Sequence, residues 1–282
     1  MRRGLLRYLP LLRHFVPLAF ALRRFPDYQP QRVTIKSLCK WLVQFEAPDR
    51  PVVLELLQHI TYVSAADTKR ALLEINSGLF ERFEANGVPL ANVIYVQFAD
   101  AGSSSGLMLN MLRDGALLEQ KRCRFLDGND VRGLSAATNE LGNGAIVYVD
   151  DFSGTGNQFC KARDFVVEHI VGNFSEFFLL PWICEEALVK LRERGVEPFA
   201  HQVHYSKDRI LHVDNSQLDS QKKARLLEIS AKIDKRWGLG YRNLATTVVF
   251  YRNAPNTVPL ILRGNPRQEP WLGILPRTTD LP

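Results

Sequence analysis

The chain has four cysteines, Cys39, Cys123, Cys160 and Cys184, and none stands in a CxxC pair. Their wide separation argues against a disulfide framework and against thiol zinc sites, and it makes the cytoplasm the expected compartment. Histidine is also sparse, with six in 282 residues. His201 and His204 fall in a stretch that alternates like a strand. Positions three apart then face opposite sides, which disfavours a shared metal; these two and nearby His212 read as structural or surface side chains. Long apolar runs are missing: the longest uncharged stretch of the N-terminal segment, Phe15 to Leu22, is too short to span a bilayer. Arg13 interrupts what would be a signal core, and no small-residue cleavage site follows. Repeats and low-complexity tracts are absent. Charge imbalance is slight: the net charge is +6, and Met1 to Arg24 carries six arginines and no acid. The body is therefore nearly neutral and lacks a dedicated duplex-binding surface, although an anionic nucleotide needs only a local positive field.

The 46% hydrophobic content can fill a large core, and the length suits one sizeable α/β domain with extensions. Residues 1–30 read as a basic, apolar extension, 31–264 as the domain with its N-terminal helices, and 265–282 as a peripheral Pro-rich tail. Residues 1–24 could touch a membrane surface, but Pro10 and Pro17 would break such a helix, and a docking extension fits equally. Helical spacing appears over Val33 to Phe45, with Thr34 or Ser37 as the cap, and again over Arg50 to Val63 and Asp67 to Glu84. These pieces form either a cap on the domain or one flank of its sheet.

A strand–helix rhythm follows. Asn92 to Phe98 reads as a strand, Leu107 to Arg113 as a helix, and Glu176 to Trp182 and Pro198 to Tyr205 as strands separated by a helix over Glu185 to Arg194. This is the pattern of a mostly parallel sheet with crossovers on both faces. Ligands of such sheets lie beyond the carboxyl ends of the strands. Two loops fall there. The first, Gly102-Ser103-Ser104-Ser105-Gly106, offers backbone N–H groups and hydroxyls to an anion but lacks the Lys-Ser/Thr ending of a P-loop. The second lies in Gly144 to Phe159, GAIVYVDDFSGTGNQF: an apolar strand, the acids Asp150 and Asp151, then the small-residue turn Ser153-Gly154-Thr155-Gly156-Asn157 opening a helix to Val171. The turn suits phosphate. Two acids beside it would repel a bare phosphate and make sense if the ligand also carries sugar hydroxyls or a divalent cation. The plain alternative is a solvated Asp-Asp turn with no ligand.

The order strand, two acids, Thr/Gly loop resembles the ribose-phosphate motif of type I phosphoribosyltransferases. The DDF-small-GTGN wording is closer to divergent phosphoribosyltransferase-like proteins of bacterial conflict and anti-phage systems, the PRTase-CE kind. The resemblance implies that Asp150 and Asp151 face the ribose and, through it, Mg²⁺. It also implies that Ser153 to Asn157 hold the 5′-phosphate and Gly102 to Gly106 the pyrophosphate. Phe152, Ser153, Gly154 and Gln158 depart from the usual family wording, which counts against ordinary nucleotide salvage. The family has a mobile, basic segment between the two loops, for which Lys121, Arg122, Arg124 and Arg132 are candidates. An asparagine-proline-asparagine-threonine segment near the end adds Tyr241, Asn253, Asn256 and Thr257 as second-substrate candidates, with an ordinary Asn-stabilised turn the alternative. The long basic helix over Gln217 to Trp237 carries interspersed acids and reads as a solvated face.

The expected ligand is a phosphorylated ribose compound, phosphoribosyl pyrophosphate or a nucleotide, bound with Mg²⁺. Three roles stay open: glycosyl transfer or hydrolysis at the anomeric carbon, nucleotide sensing without turnover, and a toxic effector that works with a defence-system partner protein.

Overall fold

The computed structural model describes residues 15–98, 104–265 and 271–280. The chain divides into two compact units, Met1–Ala65 with Ser206–Pro282, and Ala66–Tyr205. The expected 31–264 domain thus spans both.

Helix α1 (Phe15–Arg23) opens the first unit. Pro17 lies in its first turn, where a missing N–H breaks no intrahelical bond. Residues 1–14, which carry most of the segment considered for membrane contact, lie outside the described residues. Among the described residues no helix is long and apolar enough to cross a membrane. Helix α2 (Ile35–Leu42) starts at a reciprocal Thr34–Ser37 capping box and buries Leu38, Trp41 and Leu42. Helix α3 (Arg50–Gln58) ends earlier than the apolar pattern suggested, and β1 (Thr61–Val63) follows. The β-branched pair at its ends finds a parallel partner only in residues 248–250, a pairing that local periodicity does not carry.

The second unit begins with α4 (Ala65–Ala85), followed by β2 (Val93–Gln97), α5 (Ser104–Gly115), β3 (Arg124–Asp127), α6 (Val131–Leu141), β4 (Asn143–Val149), β5 (Phe152–Ser153), α7 (Asn157–Val167), β6 (Asn173–Cys184), α8 (Glu185–Glu193) and β7 (Glu197–His204). Its six strands run in the order β3-β2-β4-β6-β5, with β7 also paired to β6. Every pairing is parallel. The fold class is therefore α/β with a parallel sheet, as expected. Alternation sorts the strand side chains cleanly. Val93, Tyr95, Val147 and Leu179 pack with α4 and α5, whereas Ile94, Val96, Tyr148 and Phe178 pack with α6, α7 and α8. Uniformly apolar strands are what a sheet covered on both faces requires. The third N-terminal helix, α4, thus flanks the sheet, and α1 to α3 belong to the other unit.

Strand β3 was not foreseen. Its four residues lie within the segment expected to be mobile, and pairing with β2 places them at the sheet edge. Arg124 is held there by two hydrogen bonds of 2.8 Å to the Glu140 carboxylate, and Lys121 lies 5.3 Å from the Phe80 ring centre.

The chain returns to the first unit with α9 (Ser220–Ile233), β8 (Val248–Phe250), α10 (Leu260–Arg263), β9 (Gly264–Asn265) and β10 (Trp271–Leu272). The tail is not peripheral: Ile274 and Leu275 are buried in this unit's core, and the Tyr28 hydroxyl donates to the Pro276 carbonyl at 2.6 Å.

Candidate functional site

Strand β4 buries Ala145 to Val149 completely and delivers Asp150 at its carboxyl end. The Asp150 N–H still bonds to the Leu179 carbonyl, at 3.1 Å, so the backbone leaves the ladder only after this residue. Pro181 lies two positions further along β6 and has no N–H to offer there. The chain resumes pairing at β5, where Phe152 and Ser153 face Trp182 and Ile183. The two acids occupy the gap between these paired segments.

Asp150 ties the start of α5 to the end of β4. Its Oδ1 accepts a hydrogen bond of 2.5 Å from the Ser104 hydroxyl, at the start of α5, and one of 2.9 Å from the Asp151 N–H. Strands β2 and β4 are parallel neighbours, so Ser104 at the start of α5 and the acids after β4 lie at one edge of the sheet. Burial raises the Asp150 carboxyl well above the usual carboxylate range, and the adjacent Asp151 raises it further. The Ser104 hydroxyl and the Asp151 N–H pull the other way.

The glycine loop is built on backbone conformation. Gly156 adopts φ +72° as the residue before α7 and supplies no side-chain cap. A Cβ there would stand 3.1 Å from Leu191 Cδ1 on α8. Only a residue without a side chain combines that φ with that approach. The Thr155 hydroxyl accepts from the Asn157 N–H at 3.4 Å, and the Asn157 carbonyl oxygen of the side chain accepts from Lys190 Nζ, also on α8. Helix start, hydroxyl and ammonium group together make an anion-compatible corner. Lys190 was missed by sequence reading, since it lies 33 residues beyond Asn157, and only the packing of α8 on α7 makes them neighbours.

The other candidates divide. Ser153 is buried within β5, which leaves Gly154, Thr155 and Asn157 as the half-buried residues of the loop. Ser105 is buried and its hydroxyl accepts from the Phe98 N–H at 3.1 Å, joining strand to helix. Gly106 allows the Gln97 side chain to approach; a Cβ would meet Gln97 Oε1 at 2.9 Å. Gly102 and Ser103 lie outside the described residues. Arg132 is exposed, and Arg122 adopts φ +63°.

Tyr241, Asn253, Asn256 and Thr257 belong to the other unit. The Tyr241 N–H donates to the Asn256 carbonyl at 2.9 Å, and the Thr257 hydroxyl is buried against that of Thr246 at 2.7 Å. Asn253 Oδ1 accepts from the Thr278 N–H at 3.2 Å. Asn253 and Thr257 thus have structural partners. Among the described residues no group of three or more His, Cys, Asp or Glu side chains is placed to hold a metal. His204 is buried beside Trp182, and His201 approaches Glu74 at 3.6 Å.

No curated protein matches the chain. Among solved structures it is similar to orotate phosphoribosyltransferase from Aeropyrum pernix, with 17% identity, 47% of this chain and 68% of that one covered, and a TM-score of 0.31. It is also similar to a hypothetical protein from Neisseria gonorrhoeae with bound ppGpp, with 14% identity, coverage of 60% and 97%, and a TM-score of 0.34. At such scores neither overlay carries an argument. Residues 38–277, most of both units, match the PRTase-CE family, and the chain belongs to that family.

Proposed function

We propose that the second unit binds a phosphorylated ribose compound, phosphoribosyl pyrophosphate or a nucleotide, at the carboxyl edge of its sheet. The observation that carries this reading is the Ser104–Asp150 hydrogen bond, which brings the start of α5 and the Asp150–Asn157 stretch together. Asp150 and Asp151 accept hydrogen bonds from the ribose hydroxyls. The 5′-phosphate lies against Gly154 to Asn157, where backbone N–H groups and Lys190 offset its charge. The pyrophosphate belongs to the serine loop, with Ser104 at its helical end.

Two carboxylates on one sheet edge suit a hard cation that takes its remaining oxygens from water and ligand, and the donor set therefore fits Mg²⁺. The ribose hydroxyls held by Asp150 and Asp151 would present it to the ligand, and it would neutralise charge on the pyrophosphate. In a transfer reaction the C1′–oxygen bond to pyrophosphate breaks, a bond from C1′ to the incoming nitrogen or water oxygen forms, and pyrophosphate leaves with the electron pair. The acids hold the sugar in place and lie beside the positive charge that develops on its ring.

Calorimetric titration with phosphoribosyl pyrophosphate, with and without Mg²⁺, tests the reading against an Asp150→Asn/Asp151→Asn variant. Saturable, Mg²⁺-dependent binding lost in the variant supports it. Absence of binding by the wild type to this compound and to nucleotides refutes it. The proposed effector role in phage defence rests on the resemblance of the DDF-small-GTGN wording. Plating phage on cells with the wild-type or the doubly substituted gene tests that role separately, and equal plaque counts refute it.

A further inference from the structure

The basic residues after α9 differ from those on it. On the helix, Arg225 pairs with Asp49 at 2.6 Å, Lys222 with Glu55 at 2.8 Å and Lys232 with Glu228 at 3.2 Å. Beyond it, Lys235, Arg236 and Arg242 are exposed, and none has a carboxylate partner among the described residues. Two of the three lie on aromatic rings. The Arg236 guanidinium carbon is 4.8 Å from the Trp237 ring centre and that of Arg242 is 5.9 Å from the Tyr241 ring centre. The two rings are parallel within 7°, with centres 6.0 Å apart. Trp237 is 37% exposed. The acid in this stretch, Asp234, accepts from the Arg236 and Trp237 N–H groups at 2.8 Å each and so stays with the backbone.

The backbone around this cluster is held in left-handed conformations. Arg242, Asn243 and Ala245 all adopt positive φ, between +48° and +57°. Gly240, at φ +81°, passes so close to residue 257 that a Cβ would meet the Thr257 carbonyl at 2.3 Å. Left-handed conformations are unfavourable for residues with side chains and persist only where the surroundings impose them. Here the Tyr241 N–H is tied to the Asn256 carbonyl and the Ala245 N–H to the Leu239 carbonyl, at 2.9 Å each. Arg242 and Asn243 are exposed, whereas Leu244 and Ala245 are buried, so the same turn is anchored in the core and holds Arg242 at the surface.

We infer that the Arg236–Trp237–Tyr241–Arg242 cluster is a docking surface for single-stranded nucleic acid. Aromatic rings and guanidinium planes are the surfaces on which unpaired bases stack, and cations on both sides of the stack suit a chain of phosphates. A duplex presents its bases edge-on inside grooves and would use only the charges. All four residues belong to the first unit, so the inference is independent of the phosphoribosyl reading.

Fluorescence anisotropy with a labelled oligouridine of about 20 nucleotides is the test. The wild type should bind it more tightly than a duplex of equal length. Each lost phosphate contact lowers the salt slope by about 0.7 for single strands, so Arg236→Gln/Arg242→Gln should lower it by about 1.4. Trp237→Ala should weaken binding roughly tenfold and leave the slope unchanged, since stacking releases no counterions. If Trp237→Ala does not fold, the exposed arginine pair carries the test. Equal affinity for duplex, unchanged binding by the arginine variant, or competition by uridine monophosphate as strong as by the oligomer each overturns the inference.

Discussion

Replacing Gly156 by alanine separates two costs that the loop combines. At φ +72° an L-residue is disfavoured by roughly 1–2 kcal/mol, of which about 0.4–1 kcal/mol is returned because alanine narrows the unfolded ensemble. The new methyl group also arrives 3.1 Å from Leu191 Cδ1. Leu191 is fully buried, so it can yield only by shifting its neighbours, an overpacking cost of about 1 kcal/mol. The sum is about 1–2.6 kcal/mol. Gly195 supplies the control: its φ is +74°, and a Cβ there meets nothing within 4 Å. Gly195→Ala should therefore lower stability by the conformational part alone. Urea denaturation of both variants measures the difference directly, and the Gly156 variant should be less stable by about 1 kcal/mol. Its affinity for phosphoribosyl pyrophosphate should also fall, since the start of α7 moves with the methyl group. Equal losses in the two variants would show that Leu191 yields freely and that close packing on α8 does not set the loop.

Asp150→Asn should stabilise the fold near neutral pH while abolishing ligand binding. The folded-state pKa is raised chiefly by burial, so the charged form is the disfavoured one. The cost is absent below the unfolded carboxylate range and grows as pH rises towards the folded pKa. Melting curves at acidic and neutral pH should show the gain only at neutral pH; a gain that persists at low pH would refute the electrostatic cause. Lys190→Gln should weaken phosphoribosyl pyrophosphate binding about tenfold, the scale of one charge-assisted hydrogen bond. Affinity equal to the wild type would remove Lys190 from the site. Arg163→Met leaves Glu176 with only the Tyr148 hydroxyl at 3.0 Å, in place of a two-pronged guanidinium contact. Breaking such a poorly exposed pair should destabilise by about 3 kcal/mol, and chemical denaturation of this variant beside Arg163→Met/Glu176→Gln should show partial recovery in the second.

The sequence by itself determined the local parts: the apolar stretches of β2, β4 and β6, the helices α5 and α7, and the Asp150–Asn157 loop after a buried strand. These are legible because burial on both sheet faces demands apolar runs, and because a glycine turn before a helix is a backbone property of a few consecutive residues. Tertiary structure decided the rest. β3 pairs over four residues without alternation and takes its strand form from β2; β1 exists because β8 lies beside it. Lys190 reaches Asn157 across two packed helices, and Ser105 looks like a loop hydroxyl in sequence but is turned inward to the Phe98 N–H. The cations at the end of α9 look alike in sequence. Which are neutralised by carboxylates and which lie free on aromatic rings depends on side chains far apart in the chain, as Arg225 and Asp49 show. Pairing of that kind is set by where the folded backbone places each group, and local spacing does not encode it.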